Sequence, residues 1–151
     1  MEKTLVILKP DAVARQLTGQ IIARLENKGL KIVACKFMRI ARKLAQQHYA
    51  LHQGKPFYEN LIDYITSGPV MVVALEAPGA IAMARKLMGK TFGCEAEPGT
   101  IRGDFGGSKG FNLIHGSDSP ESAKIEIDLF FRNDQPIEYE LDNAHWLYGK
   151  D

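Results

Sequence analysis

His115 is the side chain whose type and position are best suited to chemistry. It ends a short predicted strand and precedes the small, flexible Gly116, and Ser117 and two further polar residues follow. An imidazole at an open strand end with polar neighbours can act as a nucleophile or carry protons. A lone histidine is more often structural, so the surrounding segments have to distinguish the two interpretations.

A glycine-rich segment precedes this histidine. Between residues 90 and 110 no helical or strand period holds, and the segment contains six glycines. A loop of this length in a compact domain is usually functional. It contains Thr91, Arg102 and Lys109, and Arg85 lies on the helix predicted before it. Side chains of these kinds bind phosphate, and the planar guanidinium of Arg102 can hold two phosphate oxygens at once. A solvated surface arginine is the alternative.

Several common nucleotide and metal motifs are missing from the chain. The sequence has no Gly-x-x-x-x-Gly-Lys-Ser/Thr loop, no Gly-x-Gly-x-x-Gly fingerprint and no His-Glu-x-x-His helix. Cys35 and Cys94 lie far apart without Cys-x-x-Cys or Cys/His spacing, so they predict free thiols rather than a disulfide framework or a structural zinc site. Any bound phosphates must therefore be held by side chains.

The apolar pattern predicts the elements that position these residues. Strands are predicted at 5–8, 30–40, 70–75 and 111–115. Helices are predicted from a Thr18 cap to Gly29, as a hairpin over 41–68 with Gly54-Lys55-Pro56 at its corner, from Pro78-Gly79 to Gly89, and from a Ser119 cap to Phe131. This order predicts an α/β sandwich of the ferredoxin-like βαββαβ type. It has a four-stranded antiparallel sheet, a helical hairpin insertion and the long glycine-rich loop. We expect helices on one face of the sheet and a partner subunit on the other.

Composition limits the classes of function. The 151 residues predict one domain, 1–151, and 19 Lys and Arg against 18 Asp and Glu give a net charge of +1. A dedicated nucleic-acid binder needs a larger positive excess. No apolar run is long enough to span a bilayer, and the first residues do not resemble a signal peptide, so we expect a cytoplasmic protein without membrane contact.

The motifs together resemble the nucleoside diphosphate kinase family. The resemblance is carried by Ile-Leu-Lys-Pro-Asp at 7–11, Pro-Gly-Thr-Ile-Arg-Gly-Asp-Phe at 98–105 and Asn-Leu-Ile-His-Gly-Ser-Asp at 112–118. Shorter matches at 48–49, 55–58, 67–70 and 126–131 extend it along nearly the whole chain. It implies ping-pong transfer of the γ-phosphate from a nucleoside triphosphate, mainly ATP, to a nucleoside diphosphate. His115 would carry the phosphoryl group on Nδ1, with low base specificity.

The resemblance also assigns roles around the imidazole. Glu126 matches the glutamate that orients it together with Ser117, and Tyr49 matches a tyrosine that packs near it. A solvated helix charge is the alternative for Glu126, and a core aromatic is the alternative for Tyr49.

The remaining family positions are those that bind the nucleotide. Arg85, Thr91, Arg102 and His52 match phosphate ligands, Lys9 and Asn112 match groups at the sugar hydroxyls and the bridging oxygens, and Phe57 matches the ring on which the base stacks. Stacking tolerates different bases, which suits an enzyme with many substrates. A core aromatic is an equal alternative for Phe57.

The family resemblance implies Mg²⁺ carried by the nucleotide phosphates, and the sequence contains no pattern of a dedicated protein metal cage. It also implies a homo-oligomer, and the apolar tail Trp146-Leu147-Tyr148 resembles the tail that packs onto a neighbouring subunit in hexameric family members, which favours a hexamer over a tetramer. Phe92-Gly93-Cys94 replaces the usual family sequence after Thr91, which affects the loop at subunit contacts.

Two other classes of protein remain as alternatives. An RNA-binding module shares this fold, but the third strand lacks its stacking aromatics. A catalytically silent interaction protein would be expected to lose some of the residues that the family uses for catalysis and binding. All of them are present here, namely Lys9, Arg85, Arg102, Asn112 and His115.

Overall fold

A four-stranded sheet lies at the centre of the computed structural model, which describes residues 1–149. Its strands are β1 (Glu2–Leu8), β2 (Lys31–Arg39), β3 (Pro69–Ala77) and β4 (Ile114–Gly116). Their order across the sheet is β2-β3-β1-β4, and each neighbouring pair is antiparallel. The predicted ferredoxin-like sandwich is therefore confirmed. The predicted domain runs to residue 151, and its last two residues lie outside the described range.

The helices lie between and after these strands. They are α1 (Pro10–Ala14), α2 (Thr18–Asn27), α3 (Arg42–His48), α4 (Tyr58–Thr66), α5 (Ala80–Met88), α6 (Ile101–Phe105), α7 (Pro120–Phe130) and α8 (Ala144–Leu147), with 3-10 turns at Ala50–His52 and Gly93–Glu95. The predicted hairpin is the pair α3 and α4, and Gly54 turns its corner with a φ of 86°. Within residues 1–149, no helix has the length and apolar character that crossing a membrane requires.

Both faces of the sheet are covered by the chain's own helices. Successive side chains of a strand point to opposite faces, and Leu5 and Ile7 of β1 pack with residues of α3, α4 and α7. Val6 and Leu8 pack on the other face with residues of α1, α2 and α5. The expectation that helices cover only one face, with a partner subunit on the other, is wrong, because the hairpin α3–α4 and helix α7 pack on the second face.

The first strand leads directly into a helix. Pro10 is the first residue of α1, where its missing N–H costs nothing. This helix was not among those predicted from the sequence. Thr18 is the first helical residue of α2 and not its cap, and Leu17 precedes it without a side-chain cap hydrogen bond. The buried Leu17 takes the cap position because its side chain packs into the core. Gly29 has the predicted left-handed conformation, with a φ of 102°.

The glycine-rich segment contains two short helical pieces that the periodicity did not predict. The hydroxyl of Thr100 caps α6 by accepting a hydrogen bond from the Gly103 amide at 2.9 Å. A Cβ at Gly103 would lie 1.9 Å from the carbonyl oxygen of Glu97, and one at Gly93 would lie 2.4 Å from that of Gly106. These glycines allow backbones to pack closely, so the segment is a folded unit rather than an irregular loop.

The fourth strand is shorter than predicted. It begins at Ile114 rather than at Phe111, because Leu113 has a φ of 70°, outside the extended region. The kink leaves His115 in the middle of the three-residue strand, opposite Ile7 of β1.

Candidate active site

His115 meets a carboxylate from the following helix. Its Nε2 hydrogen bonds to Oε2 of Glu126 on α7, which begins at the Ser119 cap as predicted. A carboxylate only accepts hydrogen bonds, so Nε2 carries the proton, and the neutral ring keeps its lone pair on Nδ1. The His115 side chain is 24% exposed and lines a cavity. This pairing presents an unprotonated Nδ1, the atom that a nucleophile requires.

A second histidine, His48, lies behind this pair. Its Nδ1 is 3.5 Å from Oε2 of Glu126, and its ring meets that of His115 edge-on with 4.7 Å between centroids. Burial, and next the nearby His115, lowers the pKa of His48 to about 2, so the ring is neutral. Neither ring nitrogen has a hydrogen-bond partner among residues 1–149. An unpaired buried polar group costs roughly 1–3 kcal/mol.

His48 was not among the site residues predicted from the sequence. The His-Tyr pair at 48–49 was its only signal, as part of the family resemblance. The ring becomes a site residue because α3 ends at His48 beside α7.

The cavity in front of His115 has a volume of about 460 Å³. Tyr49, His52 and Arg85 line it together with His115 and Glu126. The Arg85 guanidinium donates to the carbonyl of Gly116 at 3.3 Å and thus lies beside the strand end. Five predicted site residues therefore meet around one cavity that carries a guanidinium cation and the imidazole of His115.

A larger cavity of about 840 Å³ adjoins the first. Four predicted site residues line it: Lys9, Phe57, Thr91 and Asn112. The ring centroids of His52, in the wall of the first cavity, and of Phe57, in the wall of the second, are 5.5 Å apart, so the walls of the two cavities touch at this contact.

Lys9 is a buried charged group in the wall of the larger cavity. Its Nζ donates to Oδ1 of Asn112 at 2.8 Å, and Nδ2 of Asn112 donates to the carbonyl of Thr91 at 3.2 Å. Burial, and next the nearby Arg102, lowers the pKa of Lys9 to about 8. The chain of hydrogen bonds links the end of β1 to the glycine-rich segment and positions a cation inside the cavity.

Arg102 lies behind the cavities rather than in their walls. Its guanidinium is buried and donates to the backbone carbonyls of Gly89, Asn112 and Ile114. Burial, followed by repulsion from Arg85, lowers the pKa of Arg102 to about 10. In this structure Arg102 joins α6 to β4, and its charge lies close to both cavities.

The Ser117 hydroxyl does not contact the imidazole of His115 in this structure, although the family resemblance assigns it to orienting that ring. Its hydroxyl accepts from the amide of Leu5 at 3.1 Å and donates to the Leu5 carbonyl at 3.3 Å. It is fully buried and fastens the end of β4 to β1.

The donors near His115 favour some metals over others. Among residues 1–149, one cluster of His, Cys, Asp or Glu side chains has metal-binding proximity, namely His48, His115 and Glu126. Mg²⁺ prefers six oxygen ligands, so two imidazoles and one carboxylate do not fit it as a protein-held ion.

The chain is similar to known proteins over nearly its whole length. The family model for nucleoside diphosphate kinase matches residues 2–136. A nucleoside diphosphate kinase from Thermomicrobium roseum is 55% identical over 149 residues, covering 99% of this chain and 100% of that protein. One from Archaeoglobus fulgidus is 53% identical over 148 residues, covering 98% of each chain.

Solved structures give the same result. A halophilic nucleoside diphosphate kinase from Halobacterium salinarum, in complex with CDP, has a TM-score of 0.94 and 49% identity, covering 97% of this chain and 98% of that one. A nucleoside diphosphate kinase family protein from Babesia bovis has a TM-score of 0.93 and 44% identity, covering 98% of this chain and 100% of that one. These matches favour the enzyme over the RNA-binding module and the silent interaction protein considered above.

Proposed function

The chain belongs to the nucleoside diphosphate kinase family, and we propose that it transfers the γ-phosphoryl group of a nucleoside triphosphate to a nucleoside diphosphate through His115. The observation that carries the proposal is the His115–Glu126 hydrogen bond, which leaves Nδ1 unprotonated beside a cavity. ATP is the proposed main donor.

The transfer has two half-reactions: the first phosphorylates His115, and the second passes the phosphoryl group on and restores the free histidine. The Nδ1 lone pair of His115 attacks the γ-phosphorus, the N–P bond forms, and the bond to the bridging oxygen breaks, so the diphosphate leaves with that electron pair. A terminal oxygen of the acceptor diphosphate then attacks the phosphorus, and the N–P electrons return to Nδ1. The phosphorylated ring gains positive charge, which the Glu126 carboxylate on Nε2 stabilises.

The two adjoining cavities fit the two ends of a nucleotide. We place the base on the half-exposed ring of Phe57 in the larger cavity, where stacking does not select one base. Lys9 and Asn112 contact the sugar hydroxyls and the bridging oxygens. The phosphates then extend past His52 toward His115.

Cations around this path stabilise the charge of the phosphates. Arg85 lines the cavity of His115 and contacts the transferred group. Thr91 and Arg102 complete the proposed phosphate ligands, Arg102 acting through its charge from behind the wall. Tyr49 packs its ring on His48, with 4.6 Å between the ring centroids, and His48 in turn meets the ring of His115.

A nucleotide kinase is consistent with a divalent cation, and we propose Mg²⁺. The phosphates of the nucleotide hold it, since the donors around His115 do not fit an oxygen-seeking ion. Bound there, Mg²⁺ neutralises phosphate charge. The protein's part is to bind and orient the phosphates.

An exchange assay tests the proposed function. Purified protein is given ATP and a second nucleoside diphosphate, and the new triphosphate is quantified at several concentrations of both substrates. Parallel double-reciprocal lines are expected for a ping-pong reaction. Intersecting lines would contradict a phosphohistidine intermediate, and a rate equal to that of the His115→Ala variant would contradict the activity itself.

We also propose a homo-oligomer, with a hexamer favoured over a tetramer. Because both faces of the sheet are covered, the remaining support for assembly is exposed apolar surface near the C-terminus. Trp146 of the apolar tail is 82% exposed, and Ile137, which precedes the tail, is 68% exposed. Tyr148 instead packs on its own chain, donating a hydrogen bond to Gly29. Light scattering measures the mass: a tetramer would contradict the interpretation of the tail, and a monomer would contradict assembly. The cytoplasmic location stays a prediction.

A further inference from the structure

We propose that His48, His115 and Glu126 form a binding site for a transition-metal ion of the Zn²⁺ class, and that a metal bound there blocks the nucleophile. The binding half of this proposal depends only on the three side chains. The blocking half rests on the proposed function of His115.

The three side chains offer donor atoms at one point. One ligand atom from each lies within 4.8 Å of the other two. Oε2 of Glu126 is shared, because it contacts Nε2 of His115 and lies 3.5 Å from Nδ1 of His48. In a tetrahedral site with metal bonds of about 2.0–2.1 Å, neighbouring donor atoms lie roughly 3.3 Å apart. Nε2 of His115 and Oε2 of Glu126, which are hydrogen bonded, must therefore move apart when a metal replaces the proton between them. A rotation of the partly exposed His115 ring at the cavity can provide this separation.

Unpartnered polar atoms surround this point. The His48 side chain is 2% exposed, and neither of its nitrogens has a hydrogen-bond partner among residues 1–149. Oε1 of Glu126 is buried and unpaired in the same way. In a buried histidine with a purely structural role, at least one ring nitrogen normally forms a hydrogen bond. The two unpaired nitrogens of His48 and the unpaired Oε1 of Glu126 therefore indicate that this point binds a ligand.

The donor set selects the class of metal. Two imidazole nitrogens and one carboxylate oxygen suit Zn²⁺ and its neighbours in the transition series, whereas Mg²⁺ needs oxygen ligands. Three protein ligands leave a fourth position for water, as in catalytic zinc sites. Here the fourth position opens toward the cavity of about 460 Å³ that His115, His48 and Glu126 line, which also provides the path of entry.

Metal binding changes which nitrogen of His115 carries the proton. Without metal, Nε2 holds the proton and Nδ1 the lone pair. When the metal binds Nε2 through a lone pair, the ring proton moves to Nδ1 by exchange with water, and the neutral ring releases no net proton. Nδ1 then has no lone pair with which to attack phosphorus, so a bound metal and phosphoryl transfer exclude each other.

Direct binding without nucleotide tests the site. Chelator-treated, dialysed full-length protein is titrated with Zn²⁺ by calorimetry and with Co²⁺ by visible absorption, which reports low-symmetry coordination. One ion per chain is expected. His48→Gln and His115→Gln each remove one ligand and should weaken binding at least roughly 10-fold, the lower end of what even indirect perturbation of a metal site costs. Circular dichroism confirms that each variant is folded, and having two variants protects the test if one fails to fold.

His52 provides the matched control, because it lines the same cavity but is not one of the three ligands. His52→Gln should bind Zn²⁺ as wild type does. Absence of saturable binding, or loss of binding in His52→Gln but not in His48→Gln, would overturn the site. If Zn²⁺ binds and ATP still phosphorylates metal-saturated protein at the wild-type rate, the blocking half is wrong. Failure of the proposed kinase activity alone would leave the binding result unchanged.

Discussion

The carboxylate of Glu126 and the imidazole of His115 are hydrogen bonded although one lies on a helix and the other on the edge strand of the sheet. They are 11 residues apart in sequence. β4 ends at Gly116, the Ser119 cap starts α7, and α7 folds back over β1, so its second turn faces the end of β4. The contact fixes the tautomer of the ring and directs Nδ1 to the cavity.

The first prediction concerns the phosphorylated intermediate. Wild-type protein incubated with ATP alone should gain one phosphate per chain that is labile to acid and stable to alkali, as a phosphoramidate is. His115→Asn should gain none, because its amide lacks the nucleophilic lone pair. Radiolabelled ATP and gel autoradiography measure this. His145→Asn, altered on the exposed helix α8, is the matched control and should label fully. Label in His115→Asn would place the nucleophile elsewhere.

The second prediction separates orientation from binding. Glu126→Gln removes the charge and offers an amide that can also donate, so the ring can take the wrong tautomer. By analogy with carboxylate-to-amide changes beside catalytic histidines, kcat should fall roughly 100-fold or more, while KM for the nucleotide stays near wild type. Steady-state kinetics measure both. A raised KM with unchanged kcat would mean that Glu126 contributes to nucleotide binding and not to the orientation of the ring.

The sequence was sufficient for most of the fold. Strands such as Val70–Leu75 are apolar on both faces, and Gly29, Gly54 and Gly89 mark turns that the structure places in left-handed φ. The short helix α6 was missed because five residues are too few to display a helical period. Its stability comes from the Thr100 cap and close glycine packing instead.

The sequence could predict which residues form the candidate site, but not which groups their side chains contact. Residue types and the family resemblance located His115, Arg85 and Lys9, which the structure places in two adjoining cavities. Neither signal shows where a side chain points. The guanidinium of Arg102 turns to backbone carbonyls, and His48 enters the site only through the packing of α3 against α7.

The third prediction concerns Arg102. A lysine keeps the charge but cannot donate to three carbonyls in the fork geometry of a guanidinium. Arg102→Lys should therefore lower the free energy of unfolding by about 1–3 kcal/mol. It should also cost roughly 10-fold or more in kcat/KM, because the lost contact to the backbone of Asn112 displaces a residue that lines the larger cavity. Urea denaturation and steady-state kinetics measure the two effects. A wild-type unfolding midpoint with reduced activity would assign Arg102 to phosphate contact alone.

The fourth prediction follows from the lowered pKa of Lys9. Burial brings this pKa to about 8, so the unliganded protein loses this charge as the pH rises through about 8. Anionic nucleotides favour the charged form. Affinity for ADP should be constant below that pH and should fall above it by up to about tenfold per pH unit. Calorimetric titration between about pH 6.5 and 9.5 measures the affinity.

Lys9→Met is the control for this pH dependence. It should bind ADP more weakly at every pH and lose the decline above about pH 8, so persistence of the decline would assign it to another group. The lowered pKa of Lys9 affects the free energy of unfolding in the opposite direction to its effect on ADP affinity. Unfolded Lys9 keeps its proton up to its ordinary pKa of 10.5, so the unfolded state binds more protons between about 8 and 10.5. Its contribution to the free energy of unfolding therefore rises with pH in this window.

The fifth prediction concerns Ser117, which the structure ties to β1 rather than to the imidazole. Alanine at this position leaves the amide of Leu5 without its acceptor in the core. Ser117→Ala should therefore lose about 1–3 kcal/mol of unfolding free energy, or roughly 2–4 °C in Tm per kcal/mol for a chain of this size. Scanning calorimetry measures this, with Ser67→Ala as the control, because its hydroxyl bonds a carbonyl at an exposed helix end and should change stability by under about 0.5 kcal/mol.

Activity decides between the two roles of Ser117. If its hydroxyl only fastens β4 to β1, phosphorylation of His115 well below the melting temperature should proceed at nearly the wild-type rate in Ser117→Ala. The family resemblance instead has Ser117 orienting the ring with Glu126, and that role requires its hydroxyl to leave Leu5 during the reaction. An unchanged Tm together with a kcat reduced as in Glu126→Gln would establish the orienting role, because Leu5 would then have lost nothing on removal of the hydroxyl.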